Sequence, residues 1–322
     1  MKTSSSGNPN LVPQITDVDI RLLRVFRAVV KCRGFSNAET DLNISRSTIS
    51  LHMSDLERRL GIRLCERGPA GFTLTERGRE AYDATSRLFS ELENFRSEIG
   101  KIRGLITGQL NIGIIDNTIT DPASPMKKAL KVFQTIAEQV NIHIQVLSPL
   151  NILQQVMDGR LHMGIVPRHA DHPELQYVSL YSETNALCCA RSHPLFDRAP
   201  NQVKLEELRN LPYISFHYIP PSKTKGPSQL AEQYGLKPAA MADSMEGATM
   251  LMLTGKYAGF LPLHYMNQWE HRDEVRAIRM KELSYDVEMA VVHRKSKRHP
   301  LALEKFLEEL MIAKEEGKKQ IR

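Results

Sequence analysis

What the chain lacks narrows it first. No run approaches the roughly 20 apolar residues that a membrane-spanning helix needs. The opening MKTSSSGNPNLVPQ carries a single lysine and no apolar core of signal-peptide length, so a cytoplasmic protein with no membrane partner is expected. Cysteine is scarce: Cys32, Cys65, Cys188 and Cys189 stand at no metal-ligand spacing and read as small buried hydrophobes. Cys188 and Cys189 lie in a strand-like run, where neighbouring side chains point to opposite faces and do not pair. No Gly-rich phosphate loop, HExxH helix or nucleophile elbow is present. His169 and His172 sit in a turn without a second ligand pair. The expectation is therefore no catalytic residue, no metal and no resident cofactor.

What is there is the make-up of a globular protein, 322 residues with 41% hydrophobic and 25% charged side chains, enough for two or three packed units. The formal charge is +6, and residues 1–107 hold 17 Lys/Arg against 13 Asp/Glu. That excess suits phosphate contacts, and it equally suits an ordinary solvated surface.

Residues 1–16, rich in Ser, Asn and Pro, read as a disordered tail. Leu22, Leu23, Phe26, Val29 and Val30 then recur at helical spacing, which predicts a helix over residues 19–32. Ser36 stands where an N-cap belongs, before a short helix reaching Leu42. Asn43 and Ile44 form a turn. Ile49, Met53, Leu56 and Leu60 mark one face of a third helix from Ser45 to Leu60, which Gly61 ends. This is a helix-turn-helix spacing. Two short β-prone pieces, Arg63 to Cys65 and Phe72 to Leu74, flank Gly68-Pro69-Ala70-Gly71 and predict a wing, completing a domain over residues 17–75. A long helix over residues 76–104 follows. In it Ala81, Thr85, Leu88, Leu92, Phe95, Ile99 and Ile102 alternate four and three apart, a heptad seam that favours two such helices packing together.

From residue 105 strands and helices alternate, predicting a two-lobed α/β unit over residues 105–322 with a parallel sheet. Strands are expected at Gln109–Ile115, Ile142–Leu147 and Met163–Val166, then near Tyr177–Tyr181, Ala186–Ala190, Tyr213–Phe216 and Ala239–Ala242, and finally at Val275–Ile278 and Val287–His293. Lobe 1 is expected over about 105–168 and 267–322, lobe 2 over about 169–266.

The run from Phe35 to Ser50, then Leu56 to Arg67 and Leu74 to Gly78, resembles the N-terminal signature of LysR-type transcriptional regulators, without insertion over some 45 residues. His193-Pro194-Leu195 and Gly259-Phe260-Leu261-Pro262 resemble the second lobe of that family's effector domain. The resemblance implies a multidomain α and α/β chain: an N-terminal winged helix-turn-helix, a linker helix and an effector-binding domain like type II periplasmic binding proteins. It also implies a sequence-specific regulator modulated by a small molecule, double-stranded promoter DNA as partner, a homodimer or homotetramer, RNA polymerase as a further partner, and association with the nucleoid. Glu39 and Thr40 depart from the family's alanines, Leu51 from a polar residue and Cys65 from Phe. The alternative is a two-lobed solute-binding or catalytic protein with an accessory N-terminal domain.

With Ile49, Met53 and Leu56 inward, the third helix turns Ser47, Leu51, Ser54 and Arg58 outward. Its first turns are expected to face DNA through Ser45, Arg46, Ser47, Thr48, Ser50 and Leu51, joined by Ser36 and Arg67. Arg46 suits either a bidentate pair on guanine or a phosphate contact, Leu51 a thymine methyl, and Arg67 a phosphate. Ser36 and Ser45 are equally simple helix caps, and His52 reads as structural. Ligands of α/β sheets bind beyond the carboxyl ends of the strands. The candidates there are Asp116, Asn117, Thr118, Ser148, Pro149 and Pro167, with His217, Tyr218, Met245 and Glu246 across the cleft. Helix N-termini favour an anion, whereas Asp116, Asp121 and Glu246 favour a cation. Each acidic group is equally a helix cap or a solvated surface residue.

Overall fold

The computed structural model describes residues 14–68, 71–168, 171–199, 202–216, 226–267, 274–278, 282–296 and 298–320. The chain divides into two compact units, Met1–Leu92 and Glu93–Arg322. The tail expected over residues 1–16 lies almost wholly outside the described residues.

The first unit contains α1 (Asp17–Lys31), α2 (Ala38–Leu42), α3 (Arg46–Leu60), the hairpin β1 (Cys65–Gly68) and β2 (Gly71–Leu74), and the start of α4 (Glu76–Ile102). Leu22, Phe26 and Val29 of α1 pack on Ile49, Met53 and Leu56 of α3, with Leu64 and Phe89 completing the core. Asn43 turns the chain in the left-handed region at φ 52°, and Gly61 closes α3 at φ 68°. Ser36 is corrected as a cap. Asn37 precedes α2 already in helical conformation, so it offers no side-chain acceptor to the first amides, and its Nδ2 donates back to Cys32 O at 3.0 Å. The wing starts at Cys65 instead of Arg63, because the Glu57 carboxylate of α3 accepts from Leu64 N at 2.7 Å and from Cys65 N. Gly78 is required where it stands: a Cβ there would lie 1.8 Å from Leu64 O.

A partly buried ion pair ties the start of α1 to the end of α3. Asp19 accepts from Arg59 Nε and Nη2, and from the backbone and hydroxyl of Thr16. Those hydrogen bonds, the Arg59 one first, hold its carboxyl well below the usual range. A depressed carboxylate adds stability above its ordinary value and loses it as pH falls toward the folded value. Asp19→Ala is expected to cost about 2 kcal/mol, discounted from a fully buried pair because Arg59 is a third exposed. Thermal melts should show the loss at pH 7 and a smaller one at pH 3; equal losses would mean the charge is not what stabilises.

Along α4 the seam divides. Thr85 is buried, whereas Leu92, Phe95, Ile99 and Ile102 are exposed.

The second unit is built on β3 (Thr107–Ile114), α5 (Met126–Ile136), β4 (Gln139–Val146), α6 (Pro149–Met157), β5 (Met163–Pro167), β6 (Leu175–Ala190), β7 (Pro212–Phe216), α7 (Pro227–Tyr234), β8 (Lys237–Ala242), α8 (Met245–Leu253), β9 (Ala258–Pro262), α9 (Leu263–Asn267), β10 (Val275–Ala277), β11 (Ser284–Arg294) and α10 (Leu301–Gln320). The strands form one sheet in the order β4-β3-β5-β11-β6-β9-β7-β8, with β10 also on β6. β3 pairs parallel with β4 and β5, and β7 with β8 and β9. The antiparallel β6 and β11 join the two sets, so the expected parallel sheet is corrected to a mixed one. The strands expected at Tyr177–Tyr181 and Ala186–Ala190 are one strand. The polar Ser182-Glu183-Thr184-Asn185 reads as a break, yet it pairs residue by residue with β11, past a register shift at Met289/Ala290.

Phe133, Ile152, Val291 and Phe306 centre the first lobe, and Leu208, Leu230, Phe260, Ile278 and Leu283 the second. Ile278, Leu283 and Tyr285 therefore pack with the second lobe, and the chain returns along β11 rather than at residue 267. Cys188 and Cys189 enter different clusters on opposite faces. All four cysteines are free, and burial pushes the Cys189 thiol up to about 11 and the Cys188 thiol higher still. Among the described residues no helix is long and apolar enough to cross a membrane.

Candidate functional site

In the first unit the exposed face of α3 is what the helical spacing predicts. Ser45 caps the helix, its Oγ accepting from Thr48 N at 3.3 Å and lying 2.9 Å from the hydroxyls of both Ser47 and Thr48. Arg46, Ser47, Ser54 and Arg58 are exposed and Leu51 is 71% exposed, while Thr48, Ser50 and His52 are half-buried. Ser36 is exposed ahead of α2; the Arg67 side chain lies outside the described residues. One residue escapes sequence reasoning. Glu39 of α2 accepts from Arg46 N, placing a carboxylate against the positive end of α3. Its signal is the departure from alanine at that position.

In the second unit the parallel pairing of β3, β4 and β5 brings the ends of all three strands to one edge. There lie Asp116 to Asp121 after β3, Ser148 capping α6 with Pro149 in its first turn, and Pro167 ending β5. Facing them is the N-terminus of α8, where Ser244 accepts from Gly247 N. The two sides touch where Met245 N donates to Asp116 Oδ2. The conflict between anion-favouring helix ends and cation-favouring carboxylates is thereby resolved at this point, since the protein's own carboxylate occupies the helix end. Met245 contributes its amide, its side chain being buried in the second lobe, and Glu246 is exposed. Thr118 lies in the turn after β3. It is buried, and its hydroxyl donates to Ile115 O at 2.8 Å, fixing the turn. Asn117 sits at φ 62° with a buried Oδ1 that has no hydrogen-bond partner among the described residues. His217 and Tyr218 lie outside them.

Behind this contact three groups converge that no single stretch of sequence brings together. His264 Nε2 lies 2.9 Å from Glu183 Oε2 and 3.5 Å from Asp121 Oδ2. The other Glu183 oxygen accepts from Asn185 Nδ2 at 2.9 Å, and His264 Nδ1 meets Thr120 Oγ1 at 2.9 Å. Burial raises the Asp121 carboxyl above its usual range against the pull of Ala123 N–H and His264, with Glu183 adding to the rise. Asp116 is raised as well, by burial first and further by Glu183 and Glu246, against its bond from Met245 N.

A carboxyl raised in the folded state carries a cost that appears as pH climbs through the raised value, so stability falls there. Asp116→Asn keeps an acceptor and removes the charge. Its melting temperature relative to wild type should therefore be more favourable at pH 7.5 than at pH 4.5. The same difference at both values would remove burial as the cause.

Compared with known proteins, residues 20–79 match the family described as bacterial regulatory helix-turn-helix protein, lysR family, and residues 103–313 match the LysR substrate binding domain. The HTH-type transcriptional activator BauR of Pseudomonas aeruginosa is 41% identical over 310 residues, 96% of this chain and 100% of that protein. The SDS degradation transcriptional activation protein of a Pseudomonas species is 27% identical over 66% of this chain and 69% of its own. Among solved structures, full-length CbnR in complex with its target DNA superposes with a TM-score of 0.64 at 20% identity, covering 91% of this chain and 99% of that one. A full-length OxyR variant from Pseudomonas aeruginosa gives 0.61 at 15% identity, over 93% and 96%. These last two are likenesses of fold.

Proposed function

We propose, since this chain belongs to the LysR family of transcriptional regulators, with a helix-turn-helix DNA-binding domain and an effector-binding domain, that it is an activator working as a homodimer or a pair of dimers on promoter DNA. The activator role follows the relative at 41% identity. RNA polymerase is then the protein that the bound regulator recruits, in the cytoplasm and at the nucleoid. The observation that carries DNA reading is the outward row of α3, where Arg46, Ser47 and Leu51 stand exposed beside a core of Ile49, Met53 and Leu56. Ser45, Thr48 and Ser50 hold or flank that row, with Ser36 and Arg67 toward the phosphates.

The effector lies between the lobes, against Asn117, Ser148, Pro149, Pro167 and Glu246, and His217 and Tyr218 are further contacts expected from the sequence. Asn117 Oδ1 asks for a donor, so the effector carries an N–H or O–H group. By binding where Asp116 meets the Met245 amide, it shifts the balance between closed and open lobes. It can do so only by the difference in its affinity for the two states.

Genome-wide mapping of bound DNA tests the reading, followed by band shifts on the recovered sites. A dyad-symmetric sequence is expected, with salt-sensitive binding. Enrichment of no sequence over bulk DNA would sink it.

A further inference from the structure

We propose that Asp121, Glu183 and His264 form a site for a divalent transition-metal ion, which ties the first lobe to the second behind the effector cleft.

The Thr120 hydroxyl has a single hydrogen and lies 2.7 Å from Asn117 O, a carbonyl that only accepts. Toward His264 Nδ1, 2.9 Å away, the same oxygen therefore accepts, and Nδ1 carries the hydrogen. Neutral His264 then presents the bare lone pair of Nε2 to Glu183 Oε2 at 2.9 Å. A lone pair facing a carboxylate repels it, so a positive charge belongs between them. The second observation is independent: Asp121 Oδ2, on a side chain only 5% exposed, has no hydrogen-bond partner among the described residues, and it faces the same point at 3.5 Å from Nε2.

The spacing fits a metal ion. All three donor atoms lie within 4.8 Å of one another. Oxygen and nitrogen ligands at about 2.1 Å around a tetrahedral ion stand about 3.4 Å apart, close to the 2.9 and 3.5 Å found. Two carboxylates balance the charge of a divalent ion, and one imidazole with two oxygens suits first-row ions such as Co²⁺ or Zn²⁺. Thr120, holding Nδ1–H, and Asn185, holding the far oxygen of Glu183, supply the outer bonds that orient such ligands. The three donors come from the loop after β3, from the strand β6 that joins the lobes, and from α9 after β9. A bound ion would therefore fix the lobes to each other. The site is separate from DNA reading and from the identity of the organic effector.

The test is a Co²⁺ titration of the full-length, tag-free chain after chelation, followed by visible d–d absorption and metal analysis. One ion per chain is expected. His264→Gln should weaken uptake at least about 100-fold, and Thr120→Val, which touches no ligand atom but frees Nδ1, about 10-fold. Asp121→Asn serves in place of His264→Gln if the latter does not fold. Wild type that takes up no more Co²⁺ than these variants overturns the site and leaves a proton between His264 and Glu183. Uptake that is unchanged by Thr120→Val, with His264→Gln still abolishing it, overturns the orienting role of Thr120.

Discussion

Replacing both Phe95 and Ile99 of α4 by aspartate is expected to leave the protein monomeric and to weaken its binding to a two-half-site operator at least about 100-fold, the loss that follows when two linked readers become separate ones. Phe95 is 62% exposed and Ile102 81%, with Leu92 and Ile99 between and beside them. A row of large apolar side chains along one stripe of a helix is a surface that wants a partner. Each such side chain gains roughly 1.5–3 kcal/mol on burial, and the three-and-four alternation presents them to the same stripe of a second copy. The upstream half of the seam behaves differently. Thr85 is buried and Phe89, off the seam, enters the core of the first unit, so substitutions there would damage the fold. Phe95 and Ile99 separate the two effects: their side chains join no packing cluster among the described residues, and helix content and melting of the monomer should be preserved. Sedimentation equilibrium and fluorescence anisotropy check the outcome. A double variant that still sediments as wild type would move the dimer contact off α4.

How far the sequence could be read depended on the range of the contacts involved. α1 and α3 were legible because their signals are local: Ser45 caps and Gly61 stops α3, and the apolar residues of both repeat at the helical period. The wing was legible from turn residues, but its start was misplaced, because a single carboxylate, Glu57, draws Leu64 and Cys65 amides away from the ladder. β6 was cut in two for a related reason. Ser182 to Asn185 look like a turn by composition, and pairing with β11, joined at Asn185 by β9, keeps them extended. The candidate site divides in the same way. Asp116 and Asn117 are legible as candidates from their place at the end of a strand, whereas the meeting of Glu183 with His264 is not, since 81 residues separate them. For Thr118, composition shows a hydroxyl and cannot show that Ile115 O takes its hydrogen.

Arg46→Ala is expected to reduce affinity for the operator by up to about 100-fold while leaving affinity for random DNA within a few-fold, which is the scale of one bidentate contact to a base, roughly 1–3 kcal/mol. The case rests on where α3 places the residue. Arg46 opens the helix and is exposed, its backbone N–H is already held by Glu39, and Ser45 caps from the other side. The backbone is thus pinned by two groups while the guanidinium stands free of the core. That is the arrangement that lets a long side chain reach a base edge at low cost in ordering. The rival role is phosphate contact, and the same variant separates the two. A phosphate-bound Arg46 would, when removed, lower binding to operator and random DNA alike and reduce the salt slope by about 1. Glu39 sharpens the comparison. Its carboxylate occupies the first amide of α3 and lies where a phosphate would otherwise approach the helix end, so the helix terminus is a poor anion site in this protein. Glu39→Ala should therefore raise affinity for random DNA more than for the operator, and Arg46 should remain the discriminating contact in that background. If instead Glu39→Ala makes Arg46→Ala harmless on the operator, the arginine serves only to offset the carboxylate, and discrimination passes to Leu51.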